Sequence, residues 1–356
     1  MRVTVVRPGD LGPSEASLWA RFQKSSPDLQ SPFFSLTFAQ VVGRHRPNAR
    51  VAVVEDGGAI QAFLPFDLGP GRIGLPIGDP MNNLQGFVSA GAPVDARQVV
   101  RRAGLRGWRF TAAPAGQRAL APHHYAGTLV DAAVIDLSGG YEPYFASRSK
   151  KFIEDYRRHS RSLERRVGPV SLEWGTTAPE HLRQLIDWKS ARYGGTRELF
   201  SDPAARRIVE ELATSASEDC GGVVTVLRAG DRTIAVNSTL TCPGVLSGWF
   251  MGHDPGMKKF SPGKLVLLAT AKEAARRGIT LFELGAGQDP YKSRVSNDSY
   301  PVAGGAVWGI PGERAVRGLY RRLRPAGRPA AAPSGQHGRR LGGPPRYDGE
   351  PWRAAG

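Results

Sequence analysis

Apolar residues recur along the chain in two rhythms. "ARVAVVEDGGAIQAFLPFDLG", residues 49–69, is a β-rich run, a turn at Asp56-Gly57-Gly58 and a second β-rich run. "VVTVLRAGDRTIAVNSTLTCPG", residues 223–244, has the same layout with its turn at Ala229-Gly230-Asp231. Two such runs joined by a short glycine-containing loop predict a β-hairpin. Helical spacing precedes each hairpin, over 14–24 and 35–44 and again over 179–193 and 203–216. Helices, a hairpin and further strands, twice over, predict two related α/β units.

Between them lies "GYEPYFASRSKKFIEDYRRHSRSLERRVG", residues 140–168. Phe145, Phe152, Ile153, Tyr156 and Leu163 fall at three- and four-residue spacings. That spacing predicts one amphipathic helix ending at Gly168-Pro169. Its other face carries Lys150, Lys151, Arg157, Arg158, Arg161, Arg165 and Arg166. Such a face is either solvated or set against a polyanion or the phosphates of a cofactor.

A third pattern follows the second hairpin. "VLSGWFMGHD", residues 245–254, is a strand candidate. In "KKFSPGKLVLLATAKEAARR", Ser261 suits an N-cap and Pro262 the first helical position. Gly278 suits the helix end, and "ITLFEL" then reads as a strand before the turn "GAGQDPYK". Backbone N–H groups of Gly263, Lys264 and Leu265 would face the loop mouth, with Lys258, Lys259 and Lys264 around it. This is a candidate anion site, or else a capped helix with solvated lysines.

It is not a Walker A loop. Leu265 stands where the magnesium-binding Ser or Thr belongs, and Lys258 where the first glycine belongs. "GPGRIG", residues 69–74, spells G-x-G-x-x-G, but "LPIGDP" follows and cannot start a helix, so a hairpin turn is expected. G-x-S-x-G, H-E-x-x-H and C-x-x-C are absent from the sequence, and no metal site is expected. His123-His124 reads as surface, and Cys220 and Cys242 as buried free thiols.

Composition then sets bounds. The length of 356 residues predicts two domains, and 40% apolar residues suffice for sizeable cores. The N-terminus lacks an apolar signal segment, and runs such as "LVLLATA" are far too short to span a bilayer. A soluble, cytoplasmic chain without an integral membrane segment is expected. The net charge of +16 invites a nucleic-acid reading, but residues 316–356 hold +7 of it and residues 145–166 hold +5. The folded body is nearly balanced. The tail from about Arg322 is rich in Arg, Pro and Gly without apolar period, which predicts a disordered segment, either solvated or an arm for a polyanion.

The order strand, anion-binding loop, helix, strand resembles the acyl-CoA site of the GNAT N-acyltransferase fold. "WFMGHDPGMKKFSPGKLVLLATAKEAARRGITLFELGAGQDPYKSRV" resembles the cellulose-biosynthesis-type acetyltransferase family (CelD/BcsL-like), with its D-P-x(4–5)-[YF]-S-P-G loop and L-G-x-G-x-[DE]-x-Y-K turn. "SPFFSLTFAQ", "LQGFV", "VIDLSGGYEPY" and "DWKSARY" match in order, over nearly the whole chain to about Gly309. That family is similar in turn to the Fem-type aminoacyltransferases. The resemblance implies an α/β (α+β) fold of tandem GNAT-like units, each a mixed, mostly antiparallel sheet flanked by helices. The units would be 1–139, an N-terminal GNAT-like unit; 140–168, a basic connecting helix; 169–315, a C-terminal GNAT unit with the donor site; and 316–356, the tail. It implies N-acyl transfer with the donor in the second unit. The usual GNAT loop is Q/R-x-x-G-x-G/A, and "KKFSPGK" keeps only its late glycine.

Transfer from a thioester needs an oxyanion stabiliser, a base for the amine and an acid for the thiolate. Backbone N–H groups near Met251 and Gly252 are the oxyanion candidates. Phe260, Ser261, Pro262, Gly263, Lys264 and Leu265 are expected to hold the pyrophosphate of acetyl-CoA or another acyl-CoA. Tyr291 is the candidate acid. Lys292 is a candidate for oxyanion or phosphate, and Asp289 for base or for an ion pair with Lys292. Asp79, Asn82, Asn83 and Gln85 in "GDPMNNLQG", with Lys189 and Tyr193, are candidates for reading a small-molecule amine or amino-sugar acceptor. Two other readings stand: a Fem-like aminoacyltransferase using aminoacyl-tRNA, and a catalytically degenerate fold kept for binding.

Overall fold

Both glycine turns close hairpins where the sequence places them. β1 (Arg2–Val6) leads into α1 (Pro13–Lys24), α2 (Leu36–His45), β2 (Ala49–Asp56) and β3 (Ala59–Leu68). Asp56 faces Ala59, which leaves Gly57 and Gly58 as a two-residue loop with φ of 57° and 80°. Positive φ at both positions gives the turn whose twist matches that of the strands. "GPGRIG" forms the connection from β3 to β4 (Ile73–Pro76), with no helix to follow it. α3 (Ala96–Arg102), β5 (Gly107–Pro114) and β6 (Val130–Asp136) complete the first half. The computed structural model describes residues 1–91, 93–287 and 291–309, so the expected tail lies outside the described residues.

The single helix expected over 140–168 is two helices, α4 (Tyr141–Ala146) and α5 (Lys150–Arg166). Ser147 Oγ donates to the Tyr144 carbonyl at 2.7 Å, and Ser149 Oγ accepts from the Phe152 N–H at 3.3 Å. Serine hydroxyls that bond nearby backbone end one helix and cap the next. The spacing of apolar residues does not register that break. There follow β7 (Val170–Trp174), α6 (Pro179–Arg192), α7 (Gly194–Ser201), α8 (Pro203–Ala213), β8 (Gly221–Ala229), β9 (Arg232–Cys242) and β10 (Val245–His253). The chain ends its described part with α9 (Pro262–Arg276), β11 (Leu281–Ala286), α10 (Lys292–Val295) and β12 (Asp298–Trp308).

The twelve strands of the described residues form one sheet, in the order β1-β2-β3-β4-β5-β12-β6-β11-β10-β9-β8-β7. Its pairs are antiparallel except β4 with β5 and β10 with β11. The halves exchange strands at the centre. β12, last in sequence, pairs with β5 and β6, whereas β6 pairs with β11 and β12.

One face of the sheet carries a core common to both halves. Trp19 of α1, Phe38 of α2, Leu185 of α6 and Ile208 of α8 cover Phe63 and Phe250 there. The other face is divided. α3 sets Val99 and Val100 over Leu64 and Trp108, and α9 sets Leu268 and Ala271 over Phe282. Successive residues of β2 serve opposite faces, Val51 and Val53 on one and Ala52 and Val54 on the other. A strand buried on both faces reads as a continuous apolar run. Each fully buried large side chain contributes about 2 kcal/mol. α2 also joins α8 through Arg44 and His45, which both reach the Glu211 carboxylate.

Candidate active site

β10 and β11 run parallel and pair only from Val245–Leu281 to Ser247–Glu283. β10 then bulges between Gly248 and Phe250, and the two strands part. A Cβ on Gly248 would stand 3.2 Å from the Glu283 carbonyl, so only glycine fits easily where they separate. The connection after β4 covers the opening. Asn83 Nδ2 donates to the Gly248 carbonyl at 3.0 Å, and Trp249 Nε1 donates to the Met81 carbonyl at 2.9 Å. The first half thus builds one wall of a site in the second.

α9 starts beside this opening, but not as its sequence suggests. Ser261 has φ 53°, and its side chain makes no capping hydrogen bond. Its carbonyl takes the N–H groups of Lys264 at 3.0 Å and Leu265 at 3.2 Å. Of the three N–H groups expected to face the loop mouth, those two are therefore used within the helix. Gly263 lets β10 come close, since its Cβ would lie 3.3 Å from Met251 Cε. Phe260, Pro262 and Leu265 are buried, Phe260 and Leu265 in a core with Val266, so none of the three side chains serves as a phosphate contact. Gly252 packs against α6, where its Cβ would sit 2.9 Å from the Leu185 carbonyl. Met251 and Gly252 both pair with β9, facing Asn237 and Val236. Consecutive residues of such a ladder turn their N–H groups to opposite edges, so only one of the two faces the opening.

A cleft of about 480 Å³ lies at the starts of α5 and α9. Arg148, Lys151, Lys264 and Arg294 line it with Ser149, Phe152 and Ser293, and Asp155 is its one acid among the described residues. Lys264 Nζ stands 4.9 Å from the centre of the Phe152 ring. Burial holds the Lys264 ammonium below its ordinary pKa, and the charges of Arg294 and Arg158 lower it further while Asp155 opposes them. Two helix N-termini and an excess of cations meet at one cavity, which suits an anion with more than one charge.

Lys292 opens α10 and is buried, with Nζ donating to the carbonyls of Gly285 at 3.1 Å and Ala286 at 2.8 Å. It thereby closes the end of β11. Tyr291 precedes it and is exposed. Asp289 lies outside the described residues. Lys292 Nζ and Asn83 Nδ2 both approach Gly285, at 3.9 and 3.8 Å from where its Cβ would be. The structure thus brings one expected catalytic residue and one expected acceptor residue to the same point.

Asn82 and Gln85 are turned inward. Asn82 is buried, donating to the Ile77 carbonyl and accepting from the Leu84 N–H. Gln85 is buried and bonds Thr111 and the Asn82 carbonyl. Their amides satisfy a buried loop backbone, a need that amide-rich composition does not distinguish from ligand binding. Asp79 is half-buried, and its carbonyl accepts from Arg46 at 2.8 Å. Lys189 and Tyr193 do meet, with Nζ 5.2 Å from the ring centre, and Arg192 lies on the same ring. Arg192 reaches His253 at 3.0 Å, which places this end of α6 over the end of β10.

Sequence reasoning missed a buried acid. Glu283 accepts hydrogen bonds from Ser31 and Tyr300, each at 2.8 Å, and from Ser247. Burial pushes its carboxyl up, against the three hydroxyl donors. The signal was an acid inside the apolar strand "LFEL". Among the described residues no three His, Cys, Asp or Glu side chains cluster to hold a metal. No described helix is long and apolar enough to cross a membrane.

Comparison with known proteins bears on this geometry. Residues 150–293 match the family model of the acetyltransferase (GNAT) domain. The match runs from the start of α5 into α10 and includes the parting strands β10 and β11 with Lys151 and Lys264 of the cleft, whereas Arg148 and Arg294 lie just outside it. Solved structures share the fold over most of the chain. FemX aligns with TM-score 0.56 and 11% identity, covering 91% of this chain and 100% of that one. A tandem GNAT protein from the clavulanic acid biosynthesis pathway aligns at 0.53 and 12%, covering 87% and 99%. The C-terminal domain of a putative lysylphosphatidylglycerol synthetase from Agrobacterium fabrum aligns at 0.50 and 14%, covering 86% and 96%. No curated protein matches the chain. The fold is thus mixed α/β, mostly antiparallel and GNAT-like, as the sequence resemblance implies.

Proposed function

We propose that the protein moves an acyl group, acetyl in the simplest case, from acyl-CoA to an amine of a small molecule or amino sugar. The observation that carries this reading is the cationic cleft beside the parting strands. A thioester donor with phosphates at its far end suits that pairing. Lys264, Arg294, Lys151 and Arg148 would hold the phosphates, and the acyl end would lie between β10 and β11. The N–H of Met251 or Gly252 that faces the opening would stabilise the oxyanion. Lys292 would keep the end of β11 in place, and Tyr291 would protonate the leaving thiolate. Asp289 retains its two roles, base or partner of Lys292. Asn83 and Asp79 would meet the acceptor from one side, Lys189 and Tyr193 from the other. The resemblance to the cellulose-biosynthesis-type family supports acyl transfer without naming cellulose as acceptor, and a cytoplasmic setting fits an acyl-CoA donor.

A second reading has its own observation. The exposed face of α5, with Lys150, Arg157, Arg158, Arg161, Arg165 and Arg166, continues from Lys151 of the cleft. An aminoacyl-tRNA would use such a stripe, with binding that weakens steeply as salt rises. Thermal shift separates the readings. Stabilisation by acetyl-CoA and not by tRNA supports the first, and the reverse supports the second. Stabilisation by neither removes both and leaves a degenerate binding fold.

A further inference from the structure

Glu283 takes no part in the transfer as described so far. It ends the pairing of β11 with β10, opposite Ser247, where the opening begins. It is 6% exposed, and among the described residues no Lys or Arg pairs with it. A buried carboxylate without a counter-charge costs several kcal/mol, so a strand needed only for packing would carry an apolar residue there, as at Phe282. Three hydroxyls from distant stretches hold it instead: Ser31 before α2, Ser247 on β10 and Tyr300 on β12. Gln23 of α1 fixes the first by donating to the Ser31 carbonyl at 3.0 Å.

Of the three hydroxyl residues only Tyr300 keeps contact with solvent, since Ser31 and Ser247 are each 1% exposed. Its position in the sheet is specific. Tyr300 faces Ala132 of β6, and Ala132 faces Ala286 of β11. That row crosses the sheet where β11 has already parted from β10. Two alanines leave room over it, and the tyrosine reaches back across them to Glu283.

We propose that Tyr300 and Glu283 form the proton relay for the acceptor amine, with Tyr300 facing the amine and Glu283 acting through it. The proposal rests on the acyl-transfer reading. As the acceptor nitrogen bonds to the acyl carbon, its N–H proton passes to Tyr300 Oη while the Tyr300 proton passes to Glu283 Oε1. The carbon–sulfur bond breaks, its electron pair leaves with sulfur, and the thiolate takes a proton from Tyr291. The proton on Glu283 returns to solvent through Tyr300, and Tyr291 is reprotonated from solvent. Among the described residues, the three hydroxyls bond Glu283, the Cys242 thiol of β9 lies within its electrostatic reach, and Asp28 lies within that of Tyr300. Burial first, and then Glu283 and Asp28, oppose a charge on Tyr300, so the hydroxyl passes the proton and the carboxylate stores it. Burial raises the carboxyl above its ordinary pKa, the direction that strengthens a base.

The test uses the full chain, acetyl-CoA as donor and hydroxylamine as probe acceptor, with thiol release as the rate and calorimetry with CoA as donor binding. Tyr300→Phe and Glu283→Gln are each expected to slow transfer about 100-fold, flatten the acidic limb of its pH profile and leave CoA affinity unchanged. Glu283→Asp is expected to restore part of the rate together with the limb. A structural Glu283 would instead lower melting temperature and CoA affinity and keep the shape of the profile. Tyr300→Phe retains the ring and guards against misfolding of the Glu283 variants. A wild-type rate and profile in Tyr300→Phe overturns the relay, and so does CoA binding without thiol release in the wild type. Absence of both CoA binding and thiol release in the wild type overturns the donor assignment, and the relay with it.

Discussion

The passages β4–α3–β5 and β10–α9–β11 occupy equivalent places in the two halves of the sheet. In each, two parallel strands pair briefly and part, over Ile73–Gly74 with Gly107–Trp108 in the first and Val245–Ser247 with Leu281–Glu283 in the second. What lies between differs. α3 has seven residues, and its N-cap Asp95 accepts from the Gln98 N–H at 3.0 Å. α9 has fifteen, and its N-cap Ser261 offers no side-chain bond. The first helix therefore carries its own anion, whereas the second meets a cleft lined with cations. The connection after β4, in place of a donor loop, closes on buried amides and crosses to cover the opening in the other half. The first half thus supplies a wall to the opening in the second.

The sharpest way to break this comparison is to reverse the cleft. Lys264→Glu with Arg294→Glu should weaken CoA binding by about a thousandfold, at roughly 2 kcal/mol for each charge-assisted hydrogen bond removed, read by calorimetry. Asp95→Asn in the first half should leave CoA binding unchanged. Equal losses from both would mean that the halves share the donor. Next in size is Gly252→Ala, which drives a Cβ against the Leu185 carbonyl. It should cost about 1–3 kcal/mol and lower the melting temperature.

A smaller effect compares the caps directly. Asp95→Ala should cost about 1 kcal/mol in urea unfolding, whereas Ser261→Ala should cost nothing by loss of a cap. Ser261→Gly should stabilise by about 1 kcal/mol, because glycine relieves the positive φ. The smallest effects come from pH. The folded pKa of Asp95 is lowered, first by the Gln98 N–H. Its contribution to stability is present above the unfolded carboxylate range and fades as pH falls through the folded value. Lys264 gives the same sign of slope in an alkaline window, because there the folded state disfavours the charged form that burial penalises. Its folded pKa is lowered, so stability should rise as pH climbs from the folded value towards the ordinary lysine range. A bound phosphate favours the ammonium, so CoA affinity should fall over the same window, which Lys264→Met should abolish.

Much of the fold was legible because its cues are local. Gly57-Gly58 and Gly230-Asp231 closed their hairpins, Pro262 opened α9, and the helices near 14, 35, 179 and 203 appeared within a few residues of their expected bounds. The site was less so. Lys292, Asn83 and Lys264 arrived at the opening or the cleft, but Asn82, Gln85, Phe260 and Leu265 turned inward. An amide in a loop looks the same in sequence whether it meets a ligand or a buried carbonyl. Glu283 passed as a strand residue because its three hydroxyl partners are scattered from Ser31 to Tyr300.

The sequence by itself determined the two hairpins, most of the helices and their order, since periodicity and turn residues act over a few positions. Only the tertiary structure decided that β6 and β12 change places, that a loop of the first half covers the second, and that α5 and α9 start at one cleft. Those outcomes depend on which surfaces bury each other across long stretches of chain. Apolar spacing states that a face must be covered and leaves open what covers it.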